Sequence, residues 1–313
     1  MNAGLRLVIA LPRVGLHIAV GLLIIAFCFP LMSRTIRHRL IRWWSRRVLA
    51  ICGMRVRVIG PEDGRAADAS RTHLMSPRVI ADAMRPGGIG AMLVMNHISW
   101  IDIYVVHSVR AARFIAKAEI AKWPVIGYLT DRTGTIFIER GKRHAVREVN
   151  HRVAQLLRDG DLVAMCPEGT TSDGDRLLPF HANLIQPAIE ARAPIVIAGI
   201  RYVDADGYRT TSPAYVGEIN LLQSIARIVR AGPITAEVHL IAAIDGATAT
   251  RHEVGQRARV LIAEALGFDD ESEEAAEGIS TVIVVPDDAG PGPGVSTAGR
   301  GHETAFDARD ELL

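Results

Sequence analysis

The chain has 313 residues, of which 49% are hydrophobic, so it is long enough to bury one sizeable core. The formal net charge of +2 at pH 7 conceals an asymmetry, because every Lys, Arg, Asp or Glu before Glu62 is an arginine and acids dominate from Asp269 onward. A basic, apolar amino-terminal region indicates a membrane surface and argues against nucleic-acid binding, which requires basic residues spread across a folded face.

The three cysteines predict neither a disulfide framework nor a metal site. Cys28, Cys52 and Cys166 lie in apolar surroundings, and their spacings match neither a zinc knuckle nor a set of paired bridges. We therefore expect a reducing, cytosolic environment and no bound metal.

An apolar segment at residues 14–32 is predicted to enter the membrane. Its length is at the lower edge of what spans a bilayer, so the segment either crosses the membrane or dips in and returns. A signal peptide is the rival interpretation, because Arg6 and Arg13 precede the apolar run. The end of the run contains Pro30 and is followed by Arg34 instead of a small-residue cleavage site, and this favours an anchor.

Residues 34–47 are predicted to form a basic helix in the headgroup layer. Ile36, Leu40, Trp43 and Trp44 fall roughly on one helical face, and arginines fill the rest. The alternative is a solvated basic helix packed on the protein, but the tryptophans favour the membrane. Because arginines just after an apolar segment keep the following chain in the cytoplasm, we expect an inner-membrane protein with its folded domain on the cytoplasmic side.

The part of the chain between residues 49 and 268 is predicted to be an α/β domain. Short apolar strands are expected at residues 54–60, 91–95, 113–118, 135–139, 161–166, 194–200 and 234–241. Helices are expected at residues 99–109, 123–129, 144–157, 181–191, 221–231 and 251–266. Residues 61–90 are predicted to be a loop or insertion. The alternation predicts a largely parallel central sheet flanked by helices, preceded by the membrane-associated helical segment.

The last part of the chain, residues 269–313, is predicted to be a disordered tail. It is acidic at first and then rich in Gly and Pro, with too little apolar content to order itself. We find no internal repeat. The predicted domains are therefore a membrane anchor at 1–48, the α/β domain at 49–268 and this tail.

The first candidate site follows the strand at residues 91–95 and contains His97 and Asp102. Five residues on a continuous helix turn a side chain by about 500°, so the two side chains meet only if His97 lies in the turn before the helix. Ser99 is a suitable cap, which places Asp102 in the first helical turn, within reach of the imidazole. A carboxylate on one ring nitrogen fixes the tautomer and makes the other nitrogen a better base. Taken alone, such a pair is more often structural than catalytic.

The second candidate site follows the strand at residues 135–139, where Arg140, Lys142 and Arg143 flank Gly141. Ligands bind at the carboxyl ends of parallel strands, and Arg140 can present a planar fork to a phosphate. A solvated turn explains this segment equally well when it is taken alone.

The third candidate site follows the strand at residues 161–166 and comprises Glu168, Gly169, Thr170 and Thr171. Gly169 permits close backbone approach, and the hydroxyls and amides can meet phosphate oxygens. Glu168 can accept a hydrogen bond from a substrate hydroxyl, or it can hold the Arg140 side chain in position. Such turns are commonly structural, but three polar clusters at the strand ends of one sheet favour a shared site.

Four sequence blocks resemble those of the glycerolipid acyltransferase family, which includes bacterial 1-acyl-sn-glycerol-3-phosphate acyltransferases. They are Asn-His-x4-Asp at 96–102, Phe-Ile-Glu-Arg at 137–140, Pro-Glu-Gly-Thr at 167–170 and Ala-Pro-Ile-Val at 193–196, and the resemblance covers residues 54–244. It implies transfer of a fatty acyl group from acyl-CoA or acyl carrier protein to the free hydroxyl of a lysophospholipid. It also implies contact with membrane lipid and no need for a metal or other cofactor.

The resemblance also implies roles for individual residues. His97 is expected to be the general base and Asp102 its partner. The implied acceptor-binding residues are Asn96, Arg140, Lys142, Arg143, Glu168, Gly169, Thr170 and Thr171.

One departure from the family pattern affects the acceptor. Relatives commonly have arginine where this chain has Thr171. Phosphate binding then depends on Arg140 and its basic neighbours, or the acceptor is a phosphate-free lyso-ornithine lipid. A thioesterase or lipase lacks support because no Gly-x-Ser-x-Gly elbow occurs, and intact His97 and Asp102 argue against an inactive lipid-binding or scaffold protein.

Overall fold

The computed structural model describes residues 2–61, 74–139 and 143–268. Within them, one seven-stranded sheet has the order β1-β7-β6-β2-β5-β3-β4. The strands are β1 Met54–Ile59, β2 Ala91–Met95, β3 Arg113–Lys117, β4 Ile136–Ile138, β5 Leu162–Met165, β6 Pro194–Val203 and β7 Ile234–Asp245. The helices are α1 Ala3–Leu23, α2 Arg34–Ile51, α3 Pro77–Met84, α4 Asp102–Val109, α5 Ile126–Thr133, α6 Arg143–Arg158, α7 Gln186–Ala191, α8 Leu221–Ala231 and α9 Arg251–Leu266.

The sheet is mostly parallel, as the sequence predicts. Strands β2 to β6 run in one direction, β7 is antiparallel to β6, and β1 is parallel to β7. All five residues of β2 are buried, which explains its continuous apolar sequence, since a strand covered on both faces has no solvent side. The predicted α/β class is confirmed.

Helices cover both faces of the sheet. On one face, α2, α3, α4 and α8 pack against a core that includes Leu49, Ile80, Val105 and Ile228. On the other, α6, α7 and α9 enclose a second core. Because both faces of the sheet are covered, the carboxyl ends of β2 and β5 are accessible from the edge of the sheet. Ligands usually bind at this edge in such folds.

The amino-terminal helix is longer than predicted. Residues Ala3–Leu31 form a continuous helical segment, and an 18-residue stretch of it has a mean hydropathy of 2.4, so the segment is long and apolar enough to cross a membrane. Leu16, Phe27 and Leu31 are exposed on it, at 67%, 71% and 89%. Such exposed apolar side chains favour membrane association. Ser33 caps the following helix α2, which continues to Ile51, so the predicted domain boundary at residue 48 falls inside a helix.

Two predicted boundaries are wrong for identifiable reasons. The region predicted as a loop at 61–90 contains α3, which begins with a Ser76 cap and Pro77 and buries Ile80; residues 62–73 lie outside the described residues. Helix α5 begins at Ile126 rather than at 123, because Pro124 disfavours helical geometry in the residue before it. The predicted tail at 269–313 also lies outside the described residues.

Candidate active site

Asn96 ends the β2 region and fastens it to β6. Its amide nitrogen donates to the carbonyl of Ile200 at 2.9 Å, and its amide oxygen accepts from the Ile200 N–H at 2.7 Å. The residue is 1% exposed. Both ends of the amide are used inside the protein, so the structure gives Asn96 a structural contact rather than the substrate contact implied by the sequence.

His97 and Asp102 meet as their spacing predicts. Nδ1 of His97 lies 2.8 Å from Oδ2 of Asp102, and the same oxygen accepts from the backbone N–H groups of Ile98 and Ser99 at 2.8 and 2.9 Å. The expected cap is wrong in one respect, because Ile101 occupies the N-cap position of α4. Ser99 shapes the turn before it, where its carbonyl accepts from the Asp102 N–H.

Tyr202 is a member of this cluster that sequence reasoning missed. Its hydroxyl donates to Oδ1 of Asp102, and both residues are almost completely buried. Burial and the Asp102 charge raise the pKa of Tyr202 well above 10, so the phenol stays protonated and remains a donor. One hundred residues separate the two side chains. Near Tyr202 itself, the one feature of the sequence that could indicate this role is a hydroxyl-bearing side chain in a mostly apolar strand.

Glu168 connects the loop after β5 to the segment after β2. Its Oε1 accepts from the His97 N–H at 2.6 Å, and its Oε2 accepts from the Leu178 N–H at 2.9 Å. Burial raises the pKa of Glu168 to about 7. The carboxylate therefore braces the backbone of the base, a contact that replaces the predicted one with a substrate hydroxyl.

The loop after Glu168 is held against His97 by further hydrogen bonds. Gly169 has a φ of 68°, a left-handed conformation that glycine adopts without strain. Thr170 is exposed, whereas the hydroxyl of Thr171 donates to the carbonyl of Tyr215. The Ser172 N–H donates to the His97 carbonyl at 2.8 Å. Thr171 thus holds a neighbouring loop, and its hydroxyl is engaged there rather than on a ligand.

The basic residues predicted to hold a phosphate are not placed by the structure. Arg140 and Lys142 lie outside the described residues, as does the side chain of Arg143 at the start of α6. Strand β4 does run parallel to β3, in the direction of β2 and β5. The chain therefore leaves β4 toward the same edge of the sheet that carries His97.

The surroundings of His97 keep its proton bound. Burial lowers the pKa of the imidazole, but the hydrogen bonds with Asp102 and Cys166 and the charge of the Asp102 carboxylate outweigh this effect, and the pKa lies well above 6.5. Burial raises the pKa of the Cys166 thiol, which stays protonated. The His97 side chain is 24% exposed. With Nδ1 held by Asp102, Nε2 is the nitrogen available to exchange a proton with a substrate.

No group of three or more His, Cys, Asp or Glu side chains suited to a metal ion occurs in the described part of the chain. The pairing of His97 with the buried Asp102 carboxylate is suited to proton transfer.

Comparison with known proteins identifies similar sequences. A family model described as Acyltransferase matches residues 55–201. A 1-acyl-sn-glycerol-3-phosphate acyltransferase of Neisseria gonorrhoeae is 36% identical over 180 residues, 56% of this chain and 70% of the relative. A lyso-ornithine lipid O-acyltransferase of Pseudomonas aeruginosa is 30% identical over 231 residues, 74% of this chain and 80% of the relative.

A solved structure has a similar fold. The crystal structure of the 1-acyl-sn-glycerophosphate (LPA) acyltransferase PlsC from Thermotoga maritima superposes with a TM-score of 0.58 at 18% identity, covering 84% of this chain and 94% of that one. The family match includes His97, Asp102 and Glu168 and ends just before Tyr202.

Proposed function

This chain belongs to the acyltransferase family, and we propose that it transfers a fatty acyl group to the free hydroxyl of 1-acyl-sn-glycerol-3-phosphate, forming phosphatidic acid. Membership makes the protein an O-acyltransferase. The observation that carries the proposed mechanism is the 2.8 Å contact between Nδ1 of His97 and the buried carboxylate of Asp102.

His97 acts as the general base. Its Nε2 removes the proton of the acceptor hydroxyl while the hydroxyl oxygen attacks the thioester carbonyl, and Asp102 stabilises the imidazolium that forms. The tetrahedral intermediate collapses with loss of the thiolate, to which the imidazolium returns the proton. Since a thiolate is a good leaving group, no serine or cysteine nucleophile is needed. The donor is acyl-CoA or acyl carrier protein, and no metal or other cofactor takes part.

Lysophosphatidate is the favoured acceptor because basic residues follow β4. Arg140, Lys142 and Arg143 supply cations at the carboxyl end of a parallel strand, and an arginine fork matches phosphate geometry. The name of the Neisseria relative agrees with this acceptor.

A lyso-ornithine lipid is the second candidate, and one structural observation favours it. Thr171 stands where relatives have arginine, and its hydroxyl is engaged with the Tyr215 carbonyl, so this position offers no cation for a phosphate. The Pseudomonas relative with that name also matches more of this chain, 74% against 56% for the Neisseria protein.

The amino-terminal helices account for access to the lipid substrates. The exposed apolar side chains of residues 3–31 and the arginines of α2 fit an inner-membrane protein whose active site lies on the cytoplasmic side. The acyl chain of the lysolipid then reaches the site from the bilayer, so the acceptor does not have to leave the membrane completely.

The test is a product analysis with purified full-length protein. We expect labelled acyl-CoA or acyl carrier protein and lysophosphatidate to give labelled phosphatidic acid, and the His97→Ala variant to give none above background. Lyso-ornithine lipid, assayed in competition, decides the acceptor. Faster acylation of lyso-ornithine lipid would replace lysophosphatidate as the acceptor. Release of free fatty acid alone, or no turnover with any lysolipid, would contradict the proposed function.

A further inference from the structure

We propose that Tyr202 is a positioning residue of the active site, whose hydroxyl holds the Asp102 carboxylate in the orientation that presents Oδ2 to Nδ1 of His97. The inference rests on the proposed role of His97 as the base. It extends the catalytic cluster to β6, beyond the end of the sequence region that matches the family model.

The hydrogen bonds of Asp102 divide unequally between its two oxygens. Oδ2 accepts from the His97 ring and from the N–H groups of Ile98 and Ser99, all of which belong to the same short turn. Oδ1 accepts from Tyr202. Three donors on one oxygen leave the carboxylate able to pivot about that oxygen, whereas a fourth donor on the other oxygen fixes its plane. The phenol is therefore the contact that sets the direction of the carboxylate lone pairs toward the imidazole.

The phenol is itself held in place by the strand pairing. Asn96, the residue directly before His97, binds both the N–H and the carbonyl of Ile200, two residues before Tyr202. Residues 200 and 202 lie on the same face of β6, since side chains alternate along a strand. The Asn96 amide thus fixes the β6 backbone relative to His97. Because Tyr202 lies on the same strand, its hydroxyl is also held in a fixed position, next to Asp102.

Burial gives this contact a large effect on the base. Asp102 is 0% exposed and Tyr202 is 1% exposed, so water does not compete for Oδ1. A buried acceptor that loses its donor is costly, and a hydrogen bond to a charged group is stronger than one between neutral groups. Without the phenol, the carboxylate is free to turn away from the ring, so it stabilises the imidazolium less and the imidazolium gives up its proton more readily.

The test compares Tyr202→Phe with Tyr104→Phe. Both variants remove one phenol oxygen; Tyr104 packs against the same core on α4. For Tyr202→Phe we expect kcat to fall roughly 5- to 10-fold with KM values within about two-fold, because the loss is confined to the transition state. Tyr104→Phe should retain wild-type kcat. In the Asp102→Asn background, Tyr202→Phe should cost little more, since its effect passes through the carboxylate.

A second measurement does not depend on turnover. Diethylpyrocarbonate modifies neutral imidazole, so the pH dependence of His97 modification, followed by mass spectrometry, reports its protonation. The charged and titratable groups facing His97 are Asp102, Cys166 and Glu168, and all remain in the Tyr202→Phe variant. We expect the midpoint to move down by about half a pH unit, because the carboxylate is no longer held toward the ring.

The kinetic measurement and the chemical modification of His97 together distinguish a failure of the Tyr202 inference from a failure of the proposed function. An unchanged or higher midpoint in Tyr202→Phe, or an equal loss of kcat in Tyr104→Phe, would overturn the positioning role. If the wild-type protein acylates no lysolipid, the proposed function fails while the midpoint of His97 modification still decides the role of Tyr202.

Discussion

His97 and Asp102 form a pair whose protonation should control the rate of acyl transfer. Only the neutral imidazole accepts a proton, and the pKa of His97 lies well above 6.5, so activity should rise as pH increases through that raised value. Glu168, with a pKa of about 7, ionises over part of the same range and then accepts from both of its N–H donors. The expected result is a loss of kcat on the acid side, measured as kcat against pH with saturating substrates.

Variants of His97 and Asp102 distinguish the role of the base from the role of its carboxylate partner. His97→Ala should lower kcat by about two to four orders of magnitude with retained folding and membrane association. Asp102→Asn should also impair turnover severely and should move the acid limb to lower pH, because the negative charge that holds the imidazole proton is gone. Near-normal turnover in His97→Ala, judged against circular dichroism of the same sample, would contradict general-base catalysis.

Cys166 tests whether the reaction passes through an acyl-enzyme. The thiol lies beside His97, a pairing that in other enzymes makes a nucleophile, but burial raises its pKa and keeps it protonated. We expect Cys166→Ala to retain most of the wild-type kcat. Intact-mass analysis during a single turnover should find no acyl adduct. An adduct at Cys166, together with an inactive variant, would replace direct transfer by a two-step reaction.

At the scale of secondary structure, local contacts were predictable and distant ones were not. The meeting of His97 with Asp102 follows from helix geometry within six residues. The partners Tyr202 and Tyr215 depend on the pairing of β6 with β2 and on a later loop, neither of which leaves a periodic signal. The family resemblance implies that Asn96 binds the acceptor, whereas the β2–β6 register brings the Ile200 backbone to its amide.

The first residue of α2 is joined to the sheet through a buried carboxylate. Asp161 is 2% exposed; it contacts the Arg34 guanidinium and accepts from Nε of Arg113 at 2.7 Å. Both arginines are partly exposed, so solvent screening makes the loss of these ion pairs less costly than the loss of a fully buried pair. We expect Asp161→Asn to destabilise the fold by about 2 to 3 kcal/mol. Thermal unfolding in detergent should show a Tm lowered by roughly 5 °C or more.

The matched control for this element is a solvent-exposed pair. Asp82 accepts from Arg85 at 3.0 Å with both side chains more than half exposed. Asp82→Asn should therefore change Tm by much less than Asp161→Asn, since exposed pairs contribute little. Equal shifts in the two variants would show that the Asp161 contacts do not hold α2 to the sheet.

For the molecule as a whole, the amino-terminal helices combine an apolar surface suited to membrane association with a structural role. Helix α1 presents apolar side chains outward and also packs Ala10 against Ile225 and Val229 of α8, in a cluster that Trp100 joins. Helix α2 contributes Leu49 to the main core. Deleting residues 1–48 removes most of α2, including its buried residues Ile41 and Ser45, and leaves Leu49 without its helix, so we expect that truncation to be insoluble.

A truncation that respects the helix boundaries gives the sharper test. Removing residues 2–32 leaves α2 with its Ser33 cap and its exposed Arg39 and Arg47. Because apolar insertion is lost while the arginines remain, the truncated protein should bind anionic vesicles at low salt, dissociate at high salt and fail to bind neutral vesicles. The full chain should float with both vesicle types at either salt concentration. Salt-resistant flotation of the truncated protein with neutral vesicles would show that α2, rather than the apolar helix before it, supplies the main membrane contact.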